Sequence, residues 1–452
     1  MADAEDSRRP TFRDTIAAIA TAPGRAGIGV IRISGPAARD IARAVLGGIP
    51  DPRTAALRTL RDAGGVAIDH GLALFFPGPQ SYTGEDVLEL QGHGGSVVLQ
   101  AVLGACLDAG ARIAEPGEFT RRAFLEGKLD LAQAEAVTDL IDAASREAAR
   151  SAMRSLSGEF SDTLSGLAAK VLELRALTEA MLDFPEEDVD AIHRDEASTR
   201  VRALDAELAH ILSRSRSGSL LRTGAHVVLA GPPNVGKSSL LNRLAGADRA
   251  IVTAVPGTTR DVLRESIEIA GVPVVLVDTA GVHASGDMIE RLGMERARAE
   301  VSGADVVLLV SDAAESGVGE AASIATDLRG QAACIRVRNK IDLAPRRDAA
   351  PAEPALCVSA LTGEGIDALR AAILDALGVS TAGEGAFLAR ERHLRALERA
   401  HGHLGAAAGL AGRWELFAEE LKLGHEAIGE ITGGAANEDV LGEIFSRFCI
   451  GK

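Results

Sequence analysis

Residues 231–238 read Gly-Pro-Pro-Asn-Val-Gly-Lys-Ser, a glycine-framed loop that ends in a lysine and a hydroxyl. An apolar run, Val227-Val-Leu-Ala230, precedes it, and a helical segment from Ser239 to Leu244 follows. That order suits a phosphate-binding loop, because glycines let backbone N–H groups turn inward and the helix N-terminus adds partial positive charge. Asn234, Val235, Gly236, Lys237, Ser238 and Ser239 are the expected contacts. Lys237 is expected to reach the β- and γ-phosphates and act in catalysis, and the Ser238 hydroxyl to ligate Mg²⁺.

Three more groups follow in order. Asp278-Thr-Ala-Gly281 ends the next strong apolar run. Asp278 there can hold Mg²⁺ through water, and the Gly281 N–H can meet the γ-phosphate. Gly257-Thr-Thr-Arg-Asp261 lies between the two and offers Thr259 as a second Mg²⁺ ligand in a switch segment. Asn339-Lys340-Ile-Asp342 selects the base. The Asp342 carboxylate can accept from the guanine ring N–H and the exocyclic amine, a donor pair that adenine lacks. Such a bidentate contact discriminates by roughly 1–3 kcal/mol, and an unpaired carboxylate against adenine adds to the penalty. Ser359-Ala360 fits the loop whose backbone reads the guanine oxygen. These residues imply GTP as ligand and disfavour ATP.

The hydrolytic group is less plain. Val282 stands where Ras-like enzymes carry a water-orienting glutamine. A valine cannot orient water, so the group must come from elsewhere. Glu290 is the nearest suitable carboxylate, and a solvated helix charge is the other reading of it.

The elements that hold these residues follow from patterning. Val227–Ala230, Val274–Val277, Val306–Val310 and Ile335–Val337 alternate with helical stretches across 225–377, which predicts a parallel sheet covered by helices. Ile28–Ile33 and Val87–Leu90 read as strands of a separate mixed α/β unit, with a helix over Ser96–Asp108 stopped near Gly110. Leu156, Phe160, Leu164, Leu167, Val171, Leu174 and Leu177 recur at spacings of three and four, the mark of an amphipathic helix. Helical patterning runs to about 221, broken by the acidic stretch 183–188, which reads as a solvated loop, and it returns over 386–446. The α/β unit is therefore expected to be inserted into a helical domain, as nearby chain ends permit.

With 452 residues, several domains are expected. Aromatic residues are only 3% of the chain, so the cores must be aliphatic. No stretch of eighteen apolar residues occurs, which argues against a membrane span. The four cysteines (Cys106, Cys334, Cys357, Cys449) are too scattered for a zinc or disulfide framework, so a reducing cytoplasm is expected. The net charge of −16 opposes broad non-specific binding of nucleic acid.

Beyond the nucleotide motifs, the chain carries Asp14-Thr-Ile16, Pro23-Gly-Arg-Ala-Gly-Ile-Gly-Val30, Arg32-Ile-Ser-Gly35 and Tyr82-Thr-Gly-Glu-Asp-Val-Leu-Glu-Leu90. Further along stand Gly92-His-Gly-Gly95, Pro116-Gly-Glu-Phe-Thr120, Lys128-Leu-Asp-Leu131, Gln133-Ala-Glu-Ala136, Gly429-Glu-Ile-Thr-Gly433 and the terminal Phe448-Cys-Ile-Gly-Lys452. Over nearly its whole length the sequence resembles the MnmE (TrmE) family of tRNA-modification GTPases. The resemblance implies an N-terminal α/β folate-binding and dimerisation domain over 1–130 and a helical domain in two segments, 131–221 and 379–452. Between them it implies a Ras-like, doubly wound G domain over 222–378.

It implies a homodimer, and a potassium ion near the phosphates at Asn234, Thr253, Val255 and Thr258, with Thr253 and Thr258 beside the nucleotide. It places the hydrolytic glutamate twelve residues after Asp278, at Glu290. Folate contacts fall on Arg32, Glu89, Lys128 and Lys452, for a 5-formyl or 5,10-methylene tetrahydrofolate. Taken alone, each is more often a surface charge, although a carboxylate such as Glu89 can pair with a pterin edge. Cys449, in the terminal motif, is either a catalytic thiol or a small apolar residue. The family works with the flavoprotein MnmG, which brings FAD and most of the tRNA surface, to add an aminomethyl-type group to C5 of the wobble uridine. The first thirteen residues extend past the family's usual start, and Glu126 replaces an expected small amide. A regulatory GTPase of ribosome assembly, or a stand-alone folate-dependent methyl transferase, would leave part of this pattern unexplained.

Overall fold

The computed structural model of the chain describes residues 14–183, 190–246, 263–278, 303–313, 333–343, 354–378, 386–410, 412–434 and 438–451. The chain divides into two compact units, 1–138 with 429–452, and 139–428. Among the described residues no helix is long and apolar enough to cross a membrane.

The first unit is built on strands β1 (Ile16–Ile19), β2 (Ala26–Ser34), β3 (Ala56–Arg61), β4 (Ala67–Phe76), β5 (Val87–Gly94) and β6 (Arg112–Ile113). They form one sheet in the order β3-β4-β5-β2-β1-β6. Every pairing is antiparallel except that of β1 with β6. Period-two alternation sends Ile31, Ile33, Leu88, Leu90, Ala73 and Phe75 to one face. There they pack with Ile41, Ala42 and Val45 of α1 (Ala38–Leu46) and Val102 and Cys106 of α2 (Ser96–Asp108). The intervening residues, Arg32 and Glu89 among them, face the other way.

Helix α3 (Glu118–Leu125) carries Arg122, whose side chain is fully buried. Its guanidinium donates to Asp14 Oδ1 (3.0 Å), Glu85 Oε1 (3.1 Å) and Glu118 Oε1 (2.8 Å). Burial alone would raise the Asp14 carboxyl, but hydrogen bonds and charge from Arg112 and Arg122 outweigh it and hold it below the usual range. A charge this deep is tolerated because three carboxylates, Asp14, Glu85 and Glu118, surround it.

The C-terminal helix (Glu438–Ser446) belongs to this unit, and its Leu441, Ile444 and Phe445 pack with Phe448 on Leu131 and Ala134 of α4 (Leu131–Ile141). Gly117 makes the approach possible. Its φ is 66°, and a Cβ there would stand 2.7 Å from Phe445 O and 2.9 Å from Phe448 Cβ. Gly117→Ala is expected to cost about 1–3 kcal/mol from strain and overpacking. A thermal unfolding midpoint lowered by several degrees would be the sign of it.

In the second unit, α5 (Arg146–Leu156), α6 (Glu159–Asp183), α7 (Asp190–Thr223) and a later helix, Glu391–Ala408, supply the helical part. Phe160, Leu164, Leu167, Val171 and Leu174 are all at most 2% exposed, as their spacing predicts. The stripe ends one residue away from expectation: Leu177 is 46% exposed and Thr178 is buried in its place. The Thr178 hydroxyl is satisfied by donating to Leu174 O at 2.8 Å.

The same unit holds a second sheet of β7 (Ala225–Ala230), β8 (Leu263–Ile269), β9 (Val272–Asp278), β10 (Val306–Asp312), β11 (Ala333–Asn339) and β12 (Leu356–Cys357). Its order is β12-β11-β10-β7-β9-β8, parallel except for the β8–β9 pair. Val227 and Leu229 of β7 point into one apolar cluster and Val228 and Ala230 into another. Burial on both faces is why these strands read as continuous apolar runs. Helices α8 (Lys237–Ala245) and α9 (Ile366–Ala376) cover the first face through Leu240, Leu241, Leu244, Leu369 and Ile373. The chain turns to opposite sides of β7 at its carboxyl end, the position where open α/β sheets bind ligands.

Candidate functional site

The loop after β7 has a backbone that only its own sequence allows. Gly231 has φ 150°, and a Cβ there would lie 2.1 Å from Val310 O. Gly236 has φ 89° and caps α8, with a would-be Cβ 2.5 Å from Asn339 Nδ2. Asn234 between them is left-handed at φ 64°, which asparagine tolerates better than most residues. The first N–H groups of α8, at Lys237, Ser238 and Ser239, have no intrahelical acceptor and are free to meet an anion.

Lys237 is 4% exposed and its ammonium donates to Gly231 O and Pro232 O, both at 2.8 Å. Burial pushes its pKa down, and the charge of Asp278 partly restores it. Asp278, at the end of β9 and fully buried, accepts from Ser238 Oγ at 2.5 Å. A hydroxyl and a carboxylate side by side at a helix N-terminus form an oxygen donor set that fits Mg²⁺. This ion takes few protein ligands and completes its shell with water and phosphate. Among the described residues there is no cluster of three or more His, Cys, Asp or Glu fit for a metal.

The base side is knit to the phosphate side. Asn339, 1% exposed at the end of β11, donates from Nδ2 to Val235 O (2.9 Å), and its Oδ1 accepts from Ala360 N (3.0 Å). Lys340, left-handed at φ 65°, donates to Asn234 O (2.6 Å) and Asp312 Oδ2 (2.8 Å). Asp342 Oδ1 accepts from Ser359 Oγ at 2.5 Å, which fixes the plane of the carboxylate.

In the first unit Arg32 and Glu89 are directly paired in register across β2 and β5. Arg32 Nε donates to Glu89 Oε1 at 2.9 Å, and both side chains are partly exposed. The Arg32 guanidinium carbon lies 5.4 Å from the Tyr82 ring centroid and 5.9 Å from that of Phe119. The Tyr82 hydroxyl is tied to Thr120 Oγ1 at 2.9 Å. Lys128 is exposed, with its stem beside Gly84. Cys449 is also exposed, and its carbonyl accepts from Gly117 N at 3.4 Å.

A family model described as the MnmE helical domain matches residues 131–449, and one described as the N-terminus of the GTP-binding protein TrmE matches residues 15–128. A tRNA modification GTPase MnmE from Azoarcus sp. (strain BH72) is 55% identical over 99% of this chain and 100% of that protein. One from Thiobacillus denitrificans is 54% identical over 98% of this chain and 99% of its own length. The chain belongs to the MnmE family. It is a tRNA modification GTPase with a TrmE N-terminal domain, an MnmE helical domain and a G domain. Among solved structures, the G domain of the T. maritima FeoB iron transporter is 29% identical over 34% of this chain and 98% of that one, with a TM-score of 0.26.

Within this MnmE chain, the structure brings together Asn234, Val235, Gly236, Lys237, Ser238, Ser239, Asp278, Asn339, Lys340, Asp342, Ser359 and Ala360 at one end of the second sheet. Thr253, Val255, Thr258, Thr259, Gly281, Val282, Glu290 and Lys452 lie outside the described residues, as does the acidic stretch 183–188 apart from Asp183. Two features went unread in the sequence. Tyr82, the single tyrosine of the chain, packs on Arg32 although its motif suggested no role for it. Glu89 meets Arg32 itself, so any ligand edge must share that carboxylate with the guanidinium.

Proposed function

We propose that this MnmE-family GTPase uses potassium to hydrolyse GTP and, with the flavoprotein MnmG, adds a carboxymethylaminomethyl or aminomethyl group to C5 of the wobble uridine of certain tRNAs. The observation that supports the nucleotide half is the Ser238–Asp278 contact beside buried Lys237, joined through Asn339 to the base loop. Lys237 binds the β- and γ-phosphates; Ser238 and Thr259 hold Mg²⁺, with Asp278 acting through water. Asp342 and Ala360 read guanine. Asn234, Thr253, Val255 and Thr258 hold K⁺, which supplies positive charge where negative charge develops in the transition state. The exposed side chain of Asn234 offers a carbonyl oxygen of the right kind for such a cation. Glu290 positions the attacking water.

A tetrahydrofolate derivative supplies the one-carbon unit, held by Arg32, Glu89, Lys128 and Lys452. A half-buried charged pair against the Tyr82 and Phe119 rings suits a flat, hydrogen-bonding heterocycle with an anionic tail. Cys449 is a further candidate in that chemistry. We place the domain limits at 1–130, 131–221, 222–378 and 379–452, in a cytoplasmic homodimer. With a net charge of −16, this chain leaves most of the tRNA contact, and all FAD chemistry, to its partner.

Deleting the gene and analysing wobble nucleosides by mass spectrometry tests the reading. Loss of the modified uridine is expected, and unchanged nucleosides would remove it. For the cation, GTP turnover in potassium is expected to exceed that in sodium by roughly tenfold or more. Equal rates would remove the potassium role and leave the nucleotide site standing.

A further inference from the structure

Two arginines outside every nucleotide motif cross between the phosphate-loop helix and the segment that follows the base loop. Arg243, in the last turn of α8, donates from Nε to Ala360 O at 2.7 Å, and its Nη2 donates to Leu361 O. Arg370, on α9, donates from Nη2 back to Leu244 O, a carbonyl in the last turn of α8, at 3.3 Å. The contacts join residues 117 to 126 positions apart in sequence. They run in opposite directions, so either arginine alone leaves one side of the junction held.

The loop is also tied toward the start of α9, by Ser359 N donating to Glu364 O and Gly363 N to Ser359 O, both at 2.9 Å, and from the base side. Ser359 Oγ donates to Asp342 Oδ1, and Ala360 N donates to Asn339 Oδ1. Neither bond fixes how far the loop stands from α8. A planar guanidinium with two donors on neighbouring carbonyls does fix it, because the fork has one geometry. We propose that Arg243 clasps the phosphate-loop helix to the base loop while Arg370 ties the same helix to α9, making Arg243 a positioning residue for guanine recognition. It acts through the Ala360–Leu361 backbone and has no contact of its own with the base. The Ala360 N–H, which donates to Asn339 Oδ1 in the free protein, can be shared with a guanine C6 oxygen only where that peptide is held, so the clasp ties base reading to the helix that receives the phosphates. The inference rests on the reading of Ser359-Ala360 as the base loop.

The test compares full-length wild type with Arg243→Ala, using GDP and 2-aminopurine riboside diphosphate, which lacks the C6 oxygen and the N1 hydrogen but keeps the exocyclic amine. Arg243 is exposed, so the variant is expected to fold with an unchanged melting temperature. Its GDP affinity should fall about three- to tenfold, through faster dissociation. Turnover at saturating GTP should stay within about twofold, and affinity for the 2-aminopurine nucleotide should not change. Arg243→Lys, which reaches one carbonyl, should recover part of the loss. Unchanged GDP affinity, or equal loss for both nucleotides, would overturn the proposal. Equal wild-type affinity for the two nucleotides would instead overturn the base-loop reading, and the proposal with it.

Discussion

Lys237→Ala is expected to weaken GTP and GDP binding by about 3 kcal/mol, roughly a hundredfold, while leaving the G domain folded. The lysine is 4% exposed and already curled over its loop, donating to Gly231 O and Pro232 O. A bound phosphate replaces those neutral acceptors with charged ones, and charge-assisted bonds are about twice as strong. Burial lowers the pKa of the ammonium in the free protein, so phosphate charge beside it relieves a cost the empty loop carries. Alanine forfeits the contacts and leaves the anion facing only backbone N–H groups. Calorimetric titration with GDP checks the affinity, and circular dichroism the fold. Affinity within about threefold of wild type would show that the loop backbone alone holds the phosphates.

The phosphate loop was legible because its requirements are local: glycines at fixed offsets, a strand before and a helix after. The four apolar runs of the second sheet were legible for a related reason, since strands buried on both faces have no polar positions to blur the signal. Strands β3 and β4 gave no such signal. Leu57 is 71% exposed on β3, and Asp69 and His70 interrupt β4, so alternation is lost where one face meets water. Leu177 and Thr178 show another limit, because at the end of a stripe a helix can bury either neighbour and only packing decides. Pairings across long separations were not legible at all. Arg32 with Glu89, Gly117 with Phe445 and Arg243 with Ala360 each depend on a register or docking that no window of sequence contains. The candidate residues that the structure gathers at one end of the second sheet could thus be listed from local motifs, and the residues that hold them in position could not.

That distinction bears on the hydrolytic step. Glu290→Ala is expected to lower kcat about a hundred- to a thousandfold with GDP affinity unchanged. The residue after Asp278-Thr-Ala-Gly281 is Val282, whose side chain has no polar atom, so water activation must come from another group. Glu290 follows Asp278 by twelve residues, at the position where MnmE relatives are expected to carry their glutamate. A carboxylate there would accept a proton of the attacking water and set its approach to the γ-phosphorus. It would add nothing to ground-state binding, so kcat and affinity should separate, the opposite pattern to Lys237→Ala. Glu290→Gln sharpens the result, because the amide can still orient water by hydrogen bonding but is a far weaker base. Rates between those of alanine and wild type would assign part of the effect to orientation. Single-turnover hydrolysis in saturating potassium is the measurement. A kcat within a few-fold of wild type for Glu290→Ala would move the hydrolytic role to another residue, while the GTP site proposed at Lys237, Ser238 and Asp278 would stand.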